Sequence, residues 1–489
     1  MIRQFYGVTA FAIISILCGS AIHTAAADEA IIIGGGYSLL SSQGQIELNV
    51  QYAKDTLINN GIDVTTFFTD GNSAANDVFI QHQNPLEVSM EPLSRVLGDH
   101  LELHREYRNH QINDVVGSTR KEELLPALNG LLSSAQSPLW LLYNGHGKQS
   151  TGNSDQVSLE LWDNTRVTAA ELHSELEATD QPVRYVFTQC YSGGFHALAY
   201  DKPFGSLKPA SPKRCGFTAV SPYSLSEGCS AGINTDDYRD YTTHFFAALS
   251  GFERNGEIVT SDPDTNKSGD VSPREAHMYT LLHANSTDIS RSTSEDFLER
   301  WEPWYLKWTP GVRDLPSNEY SKIFRELAMR SDVSLEQNSV RLIRERLAEL
   351  TRSRADLSKS YREKVNQIIN TRTSIAQPII AKWPALLGPY TKGYQQLSAD
   401  GTLEEINAEI QSSPAYLTLV THQNSLTVTE NEQLVLDRKI TQLNKMLHLR
   451  RLATLKEQLV TFGSSTDINT YNEFLQCEEL PFTNASSQR

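Results

Sequence analysis

The sequence predicts an α/β protein whose mostly parallel sheet carries helices on both faces and is followed by an all-α C-terminal region. From residue 29 to about 260, apolar runs that end in glycine or polar turns alternate with segments of helical periodicity. The first run, "EAIIIGGGY" (29–37), is typical of a strand buried in a parallel sheet. After residue 317 strand patterns nearly vanish, and long amphipathic segments replace them.

The elements of the first part follow in a regular order. A helix over 45–62 comes after the first strand and ends at the stop signal Asn60-Gly61. A later helix over 168–176 opens with a capping box formed by Thr168 and Glu171. The remaining predicted elements are strands over 63–71, 138–145, 157–164, 183–190 and 216–222 and helices over 121–134 and 240–252. Such alternation favours right-handed crossovers and a parallel sheet.

Two long segments dominate the C-terminal part. They cover 339–369 and 435–460, and their apolar residues recur at spacings of three, four and seven. These stripes comprise Ile343, Leu347, Leu350, Leu357, Tyr361 and Ile368, and Leu436, Ile440, Leu443 and Leu447. We expect antiparallel helices in a bundle, with their charged faces in solvent.

Four regions are predicted along the 489 residues: a signal peptide (1–27), an α/β domain (28–299), an aromatic-rich linker (300–317) and a helical domain (318–489). Arg3, the apolar run that follows it and the small residues up to Ala27 indicate export and cleavage, to the periplasm or the medium. No later stretch is apolar enough to span a membrane. The net charge of −16 argues against a nucleic-acid partner.

Four cysteines remain after the expected cleavage. Cys215 and Cys229 are close in sequence and are expected to pair, since an exported protein meets oxidising conditions. Cys190 and Cys477 would then remain as thiols. An unpaired thiol is unusual in an exported protein, and catalysis would account for one.

Two strands end in a reactive side chain beside glycine. "PLWLLYNGHG" places His146 and Gly147 after one strand, and "VRYVFTQCYSGG" places Cys190 after another. Because the carboxyl ends of parallel strands meet at one edge of a sheet, the two side chains should converge. A histidine can activate a cysteine nucleophile, and the backbone N–H groups of Gly147 and Cys190 can hold an oxyanion. Ser192 is a rival nucleophile, although its surroundings are not the usual elbow of a serine hydrolase.

These two motifs resemble the caspase-like cysteine peptidases of clan CD, and most of all the legumain and GPI-transamidase family. The resemblance covers about residues 30–285. It implies a caspase-like fold and hydrolysis of peptide bonds through a thioester, with Cys190 as nucleophile and His146 as base and then acid. Gln189 departs from the small residue that usually precedes the nucleophile.

The resemblance also implies an acidic pocket for the side chain on the amino side of the cleaved bond. Glu227 and Asp240 fall on the matching positions, and Asp236 or Asp237 could replace Asp240. Such a pocket would accept Arg or Lys, or Asn if a basic residue balances the charge. The alternative is that these are loop acids in an acidic protein.

A calcium loop is predicted in "DTNKSGDVSPRE" (264–275). The spacing matches an EF-hand loop, with Gly269 at the sharp turn. The expected ligands are Asp264, Asn266, Ser268, Asp270 and Glu275. The competing interpretation is a capping box between Ser272 and Glu275 at the start of a helix.

The favoured function is thus an exported cysteine endopeptidase acting on a protein or peptide, without a catalytic cofactor and with a possible structural calcium ion. Legumain-like enzymes carry a C-terminal helical region that covers the active site. The helical domain (318–489) is expected either to restrain activity in the same way, because its basic runs suit an acidic cleft, or to serve as an interaction or oligomerisation domain far from the site. The alternatives are an inactive scaffold with the same fold, and a transpeptidase using the same chemistry.

Overall fold

The computed structural model describes residues 28–82, 84, 86–98, 104–149, 156–227, 238–304, 315–331, 333, 339–388 and 391–482. The expected signal peptide therefore lies outside the described residues. The strands are β1 (Glu29–Gly35), β2 (Asp63–Phe68), β3 (Val78–Gln81), β4 (Arg105–Arg108), β5 (Val115–Gly117), β6 (Leu139–Gln149), β7 (Val157–Leu161), β8 (Thr165–Thr168), β9 (Val183–Phe187), β10 (Arg214–Thr218) and β11 (Arg291–Ser292).

Helices make up most of the remainder. They are α1 (Gly44–Asn59), α2 (Glu91–Leu97), α3 (Lys121–Ser134), α4 (Ala169–Glu175), α5 (Tyr241–Ser250), α6 (Pro273–His283), α7 (Thr293–Trp301), α8 (Glu319–Arg330), α9 (Ser339–Lys382), α10 (Lys392–Ala399), α11 (Thr402–Ser412), α12 (Pro414–Phe462) and α13 (Ser465–Glu479). None of the helices in these described ranges is long and apolar enough to cross a membrane.

The central sheet is mostly parallel, as predicted. Its strands lie in the order β11-β10-β9-β6-β1-β2-β5, and only the short edge strand β11 runs antiparallel to its neighbour. Apolar side chains of one face pack against α1, α5 and α6, and those of the other face pack against α3 and α4. Helices therefore cover both faces, which explains why the strands read as continuous apolar runs.

Strand β6 is longer than the sequence predicted. The expected strand stops at Gly145, whereas β6 continues to Gln149 and forms an antiparallel hairpin with β7. His146 therefore lies within a strand, opposite Glu160 of β7, and not in a polar corner after it. The hydroxyl of Tyr143 donates to the carbonyls of His146 and Glu160, at 2.9 and 2.7 Å, and fixes this extension.

The two long C-terminal helices form the predicted antiparallel pair. Helices α9 and α12 contain 44 and 49 residues and are therefore about 65–75 Å long. The start of α9 packs with the end of α12 through Ile343, Leu350 and Leu443. The other ends of both helices pack with α2, α10 and α11 in a separate apolar cluster. The helical pair thus spans from α7 and α8 to α2, which belongs to the insertion between β3 and β4.

A disulfide joins the C-terminal part to the sheet, and the expected pairing of Cys215 with Cys229 is wrong. Cys215 of β10 is bonded to Cys477 of α13, across a sequence separation of 262 residues. Cys229 lies outside the described residues. Beside the disulfide, the buried carboxylate of Glu478 accepts hydrogen bonds from Arg274 at 2.6 Å and from Ser294. Helix α13 is therefore packed into the α/β part of the fold.

Candidate active site

The register of two neighbouring strands brings the predicted dyad together. Tyr143 of β6 pairs with Phe187 of β9, and His146 and Cys190 each lie three residues further on. Neighbouring strands lie about 4.8 Å apart, so both residues reach the same edge of the sheet. Both also line one cavity of about 510 Å³, together with Tyr37, Gly147, Lys148, Gln149, Glu160, Asn164, Arg166, Tyr191 and Leu225.

Gly147 is required by the close approach of these strands. A side chain at this position would overlap the carbonyl oxygen of Cys190 and lie 2.6 Å from Cγ of Gln189. The glycine therefore lets the backbone of β6 lie directly against the nucleophile turn. This contact places the backbone of Gly147 beside the backbone of Cys190.

His146 is held in the tautomer that a general base requires. Its Nε2 lies 2.8 Å from the Ser41 carbonyl oxygen and 2.9 Å from Oε1 of Gln43. Both neighbours are acceptors, so Nε2 carries the proton and Nδ1 carries the lone pair. The ring of Tyr37 packs edge-on against the imidazole, with 5.5 Å between the centroids.

The protonation of His146 also suits a base. Burial lowers the pKa of His146, although the hydrogen bond to Ser41 and the charge of Glu160 act in the opposite direction. The imidazole is therefore neutral at neutral pH and ready to accept a proton.

Cys190 lies at a tight turn that exposes its sulfur to the cavity. The thiol is half-buried and is not part of the disulfide. The backbone N–H of Ser226 donates to Sγ at 3.3 Å. Tyr191 adopts a left-handed conformation with φ of 60°, and its N–H donates to the Ser224 carbonyl at 2.8 Å. The loop over 221–227 therefore wraps around Cys190.

Ser192 has a structural position. It is fully buried, and its Oγ accepts a hydrogen bond from the backbone N–H of Val220 at 3.2 Å. A buried hydroxyl already used in this way is a poor nucleophile. The geometry thus favours Cys190 over Ser192 as the reactive group.

The sequence marks Gln189 as a departure from the family pattern, but it does not indicate the environment of this side chain. Its side chain is fully buried, and neither amide atom has a hydrogen-bond partner among the described residues. An unsatisfied buried amide costs stability, so this residue is a strained element at the base of the site. Its position immediately before the nucleophile was the signal available in the sequence.

Glu227, one of the predicted pocket acids, lies close to Cys190 along the chain. It follows Ser226, whose backbone contacts the Cys190 sulfur. One carboxylate oxygen of Glu227 accepts from Nε of Arg438 at 3.1 Å and also from Nη2 of this residue. The other oxygen accepts from the backbone of Thr287 at 2.6 Å. The guanidinium of Arg438, on α12 of the helical part, therefore forms an ion pair with Glu227.

Asp240 lies in a different environment from Glu227. It is 2% exposed and caps α5 by accepting from the backbone N–H and the hydroxyl of Thr243, while its second oxygen accepts from Asn49 at 2.6 Å. These bonds give Asp240 a capping role that the sequence did not indicate. Asp236 and Asp237 lie outside the described residues.

Two further ionisable groups in this region, Asp288 and Lys445, were not predicted. Asp288 accepts from the backbone N–H of Glu227 at 2.9 Å, and burial raises the pKa of Asp288 to about 8. Lys445 of α12 donates to the Ala284 carbonyl at 2.8 Å, and burial lowers its pKa to about 8. Helix α12 thus brings a second basic residue into this region.

The predicted calcium loop is closed by its own hydrogen bonds. The carboxylate of Asp264 accepts from the backbone N–H groups of Ser268 and Gly269, at 3.1 and 2.9 Å. Glu275 accepts from the backbone of Thr265 and completes the capping box with Ser272.

Two of the expected calcium ligands also bond to each other in this loop. The Ser268 hydroxyl donates to the carbonyl of Asp270 at 2.9 Å. Gly269 adopts φ of +98°, which fits the sharp turn of an EF-hand loop. The capping box is therefore present, whereas the carboxylates of Asp264, Asp270 and Glu275 do not lie within 4.8 Å of one another as a group of three.

Comparison with known proteins leaves the family open. No protein-family model matches the chain, and no curated protein gives a significant match.

Proposed function

We propose that this protein is an exported, caspase-like cysteine endopeptidase that resembles the legumain family and acts on protein or peptide substrates. The observation that carries the proposal is the matched placement of His146 and Cys190 beyond a paired position of two parallel strands. The tautomer of the imidazole, the N–H contact to the sulfur and the burial of Ser192 all support the same roles.

The proposed reaction begins with transfer of the Cys190 thiol proton to Nδ1 of His146. The sulfur attacks the carbonyl carbon of the substrate, and the backbone N–H groups of Gly147 and Cys190 hold the oxyanion. Collapse breaks the C–N bond, and His146 gives its proton to the leaving amine. Water then hydrolyses the thioester, with His146 again as base.

The helical part restrains this reaction in our proposal. Arg438 and Glu227 are 11% and 18% exposed in their side chains, so their ion pair is little screened by solvent. Glu227 lies one residue from the backbone group that touches the Cys190 sulfur, so α12 is anchored next to the nucleophile. The ion pair withholds Glu227 from a basic substrate side chain until α12 moves.

Point variants of the full chain test the enzyme assignment. A truncation before α8 would remove Cys477 and Glu478, and it would leave the buried Arg274 without its closest carboxylate. We expect Cys190→Ala and His146→Ala each to abolish cleavage of peptides with Arg, Lys or Asn before the scissile bond. Ser192→Ala is the matched control and should retain cleavage.

The measurement should be made in the Arg438→Ala background, so that restraint by α12 is not mistaken for inactivity. Alkylation of the thiol by a peptide probe gives a second readout that does not depend on turnover. Folded protein that neither cleaves nor reacts with the probe would support the inactive scaffold. Product ligation without hydrolysis would identify a transpeptidase.

A further inference from the structure

Three metal-ligating side chains converge at the carboxyl end of β2, away from the dyad. One donor atom each from Asp70, Asp77 and His110 lies within 4.8 Å of the other two. Within the part of the chain that the structure describes, no other group of three His, Cys, Asp or Glu side chains meets this distance. The side chain of Asp77 is fully buried and that of His110 is 7% exposed.

Asp70 contributes an oxygen that the protein leaves unsatisfied. Its Oδ1 is buried and has no hydrogen-bond partner among the described residues, although the residue as a whole is partly exposed. Burial, together with the nearby Asp77 carboxylate, raises the pKa of Asp70. A buried carboxylate oxygen beside a second carboxylate is costly unless a proton or a cation joins it.

The other two side chains are held firmly in place. Asp77 accepts from the backbone N–H of His110 and from its Nδ1, both at 2.7 Å, and from the hydroxyl of Thr69. The His110 ring packs edge-on against Phe68, with 5.3 Å between centroids. His110 and Asp77 are therefore held in a fixed relation, and a cation between them would take the place of their shared proton.

The turn that carries Asp70 cannot relax away from this cluster. Thr69 has φ of 38° and Gly71 has φ of +75°, both in the left-handed region. A side chain at Gly71 would lie 2.6 Å from the backbone nitrogen of Ser118. The turn that carries Asp70 is therefore packed against the segment that follows β5, and this packing limits its movement away from Asp77.

We propose that Asp70, Asp77 and His110 bind a divalent transition-metal cation of the zinc type. An imidazole with two carboxylates suits zinc, and three protein ligands leave the fourth tetrahedral position to water. Calcium prefers six to eight oxygen ligands and is disfavoured by the imidazole. Binding replaces the proton between His110 and Asp77, which leaves to solvent, and gives Oδ1 of Asp70 a partner.

The site is linked to the catalytic base through a short chain of contacts. Asp77 directly precedes β3, and the N–H of Phe79 in this strand donates to the Ser42 carbonyl at 2.9 Å. The preceding carbonyl, that of Ser41, accepts from His146. The cation therefore stabilises the segment that orients His146, and its role is structural.

The test measures zinc binding to the full chain by calorimetry and by thermal melting, after removal of metals with a chelator. Cys190→Ala is the background because the thiol would itself bind zinc, and this choice makes the result independent of the proposed peptidase activity. Asp70→Asn and His110→Asn remove one ligand each. His82→Asn is the matched control, because His82 forms an exposed pair with Glu106 on the same hairpin.

We expect one zinc ion per chain and a higher melting temperature with zinc. Affinity should fall at least tenfold in Asp70→Asn and His110→Asn and stay unchanged in His82→Asn. Without zinc, Asp70→Asn should melt above its parent because the carboxylate repulsion is gone, which shows that the variant folds. Equal zinc affinity in all four proteins, or no zinc uptake by the folded parent, overturns the proposal.

Discussion

Replacement of Arg438 by alanine should raise the proposed peptidase activity. The guanidinium makes two charge-assisted hydrogen bonds to one oxygen of Glu227, and both side chains are largely buried. Bonds of this kind contribute about 1.5–3 kcal/mol each, and we take about 2–3 kcal/mol for the pair because they share one acceptor. Since 1.4 kcal/mol corresponds to a factor of ten, the population with α12 displaced should rise about 30- to 150-fold.

The assay is kcat/KM on a peptide with arginine before the scissile bond, measured with the full chain. Arg354→Ala is the matched control, because Arg354 pairs with Asp437, the neighbour of Arg438, but on the face between α9 and α12. That pair is about one-third exposed and should contribute under about 1 kcal/mol. If folded Arg438→Ala cleaves no faster than the parent and the Arg354 variant, α12 does not restrain the enzyme.

Three further outcomes are expected. Gln189→Met should raise the free energy of unfolding by about 1–3 kcal/mol, measured by urea denaturation. The substitution replaces an unsatisfied buried amide with an apolar side chain of similar volume. A loss of stability would show that the amide has a partner. Asp288 has a folded pKa of about 8, above its usual value of 3.8, so its contribution to stability is greatest at low pH and falls as pH rises from about 4 to 8. Asp288→Asn should flatten that part of the stability profile, and an unchanged slope would refute the assignment. If the loop over 264–275 binds calcium, chelation should lower the melting temperature of the parent and not that of Glu275→Gln; without calcium uptake by calorimetry, only the capping box remains.

Local patterns in the sequence were sufficient for the sheet and the long helices. A continuous apolar run such as that of β1 fits only a strand buried by helices on both faces. The apolar stripes of α9 and α12 determine which faces of the two helices pack together. The end of β6 could not be predicted, because a strand that leaves the sheet to form a hairpin carries glycine and polar residues like a turn. His146 was nonetheless placed beside Cys190, since the register depends on the apolar part of the strand.

Pairings between residues far apart in the chain could not be predicted from the sequence. Nothing local to Cys215 indicates Cys477, because the two meet only after α13 has packed on the sheet. Likewise Arg438 is one of many basic residues on an amphipathic helix, and only the packing of α12 sets it against Glu227. The His110 cluster combines residues from separate turns around β2, β3 and β4 and has no spacing motif.

The bond between Cys215 and Cys477 closes the chain into a covalent ring that contains α5 to α12. A single cut anywhere within that ring, including the two long helices, leaves the two fragments joined. Proteolysis in an oxidising compartment would thus yield a nicked molecule that runs as one species until it is reduced. After such a cut, the cleaved helical segment could move away from Cys190 and return, because the disulfide keeps both fragments in one molecule.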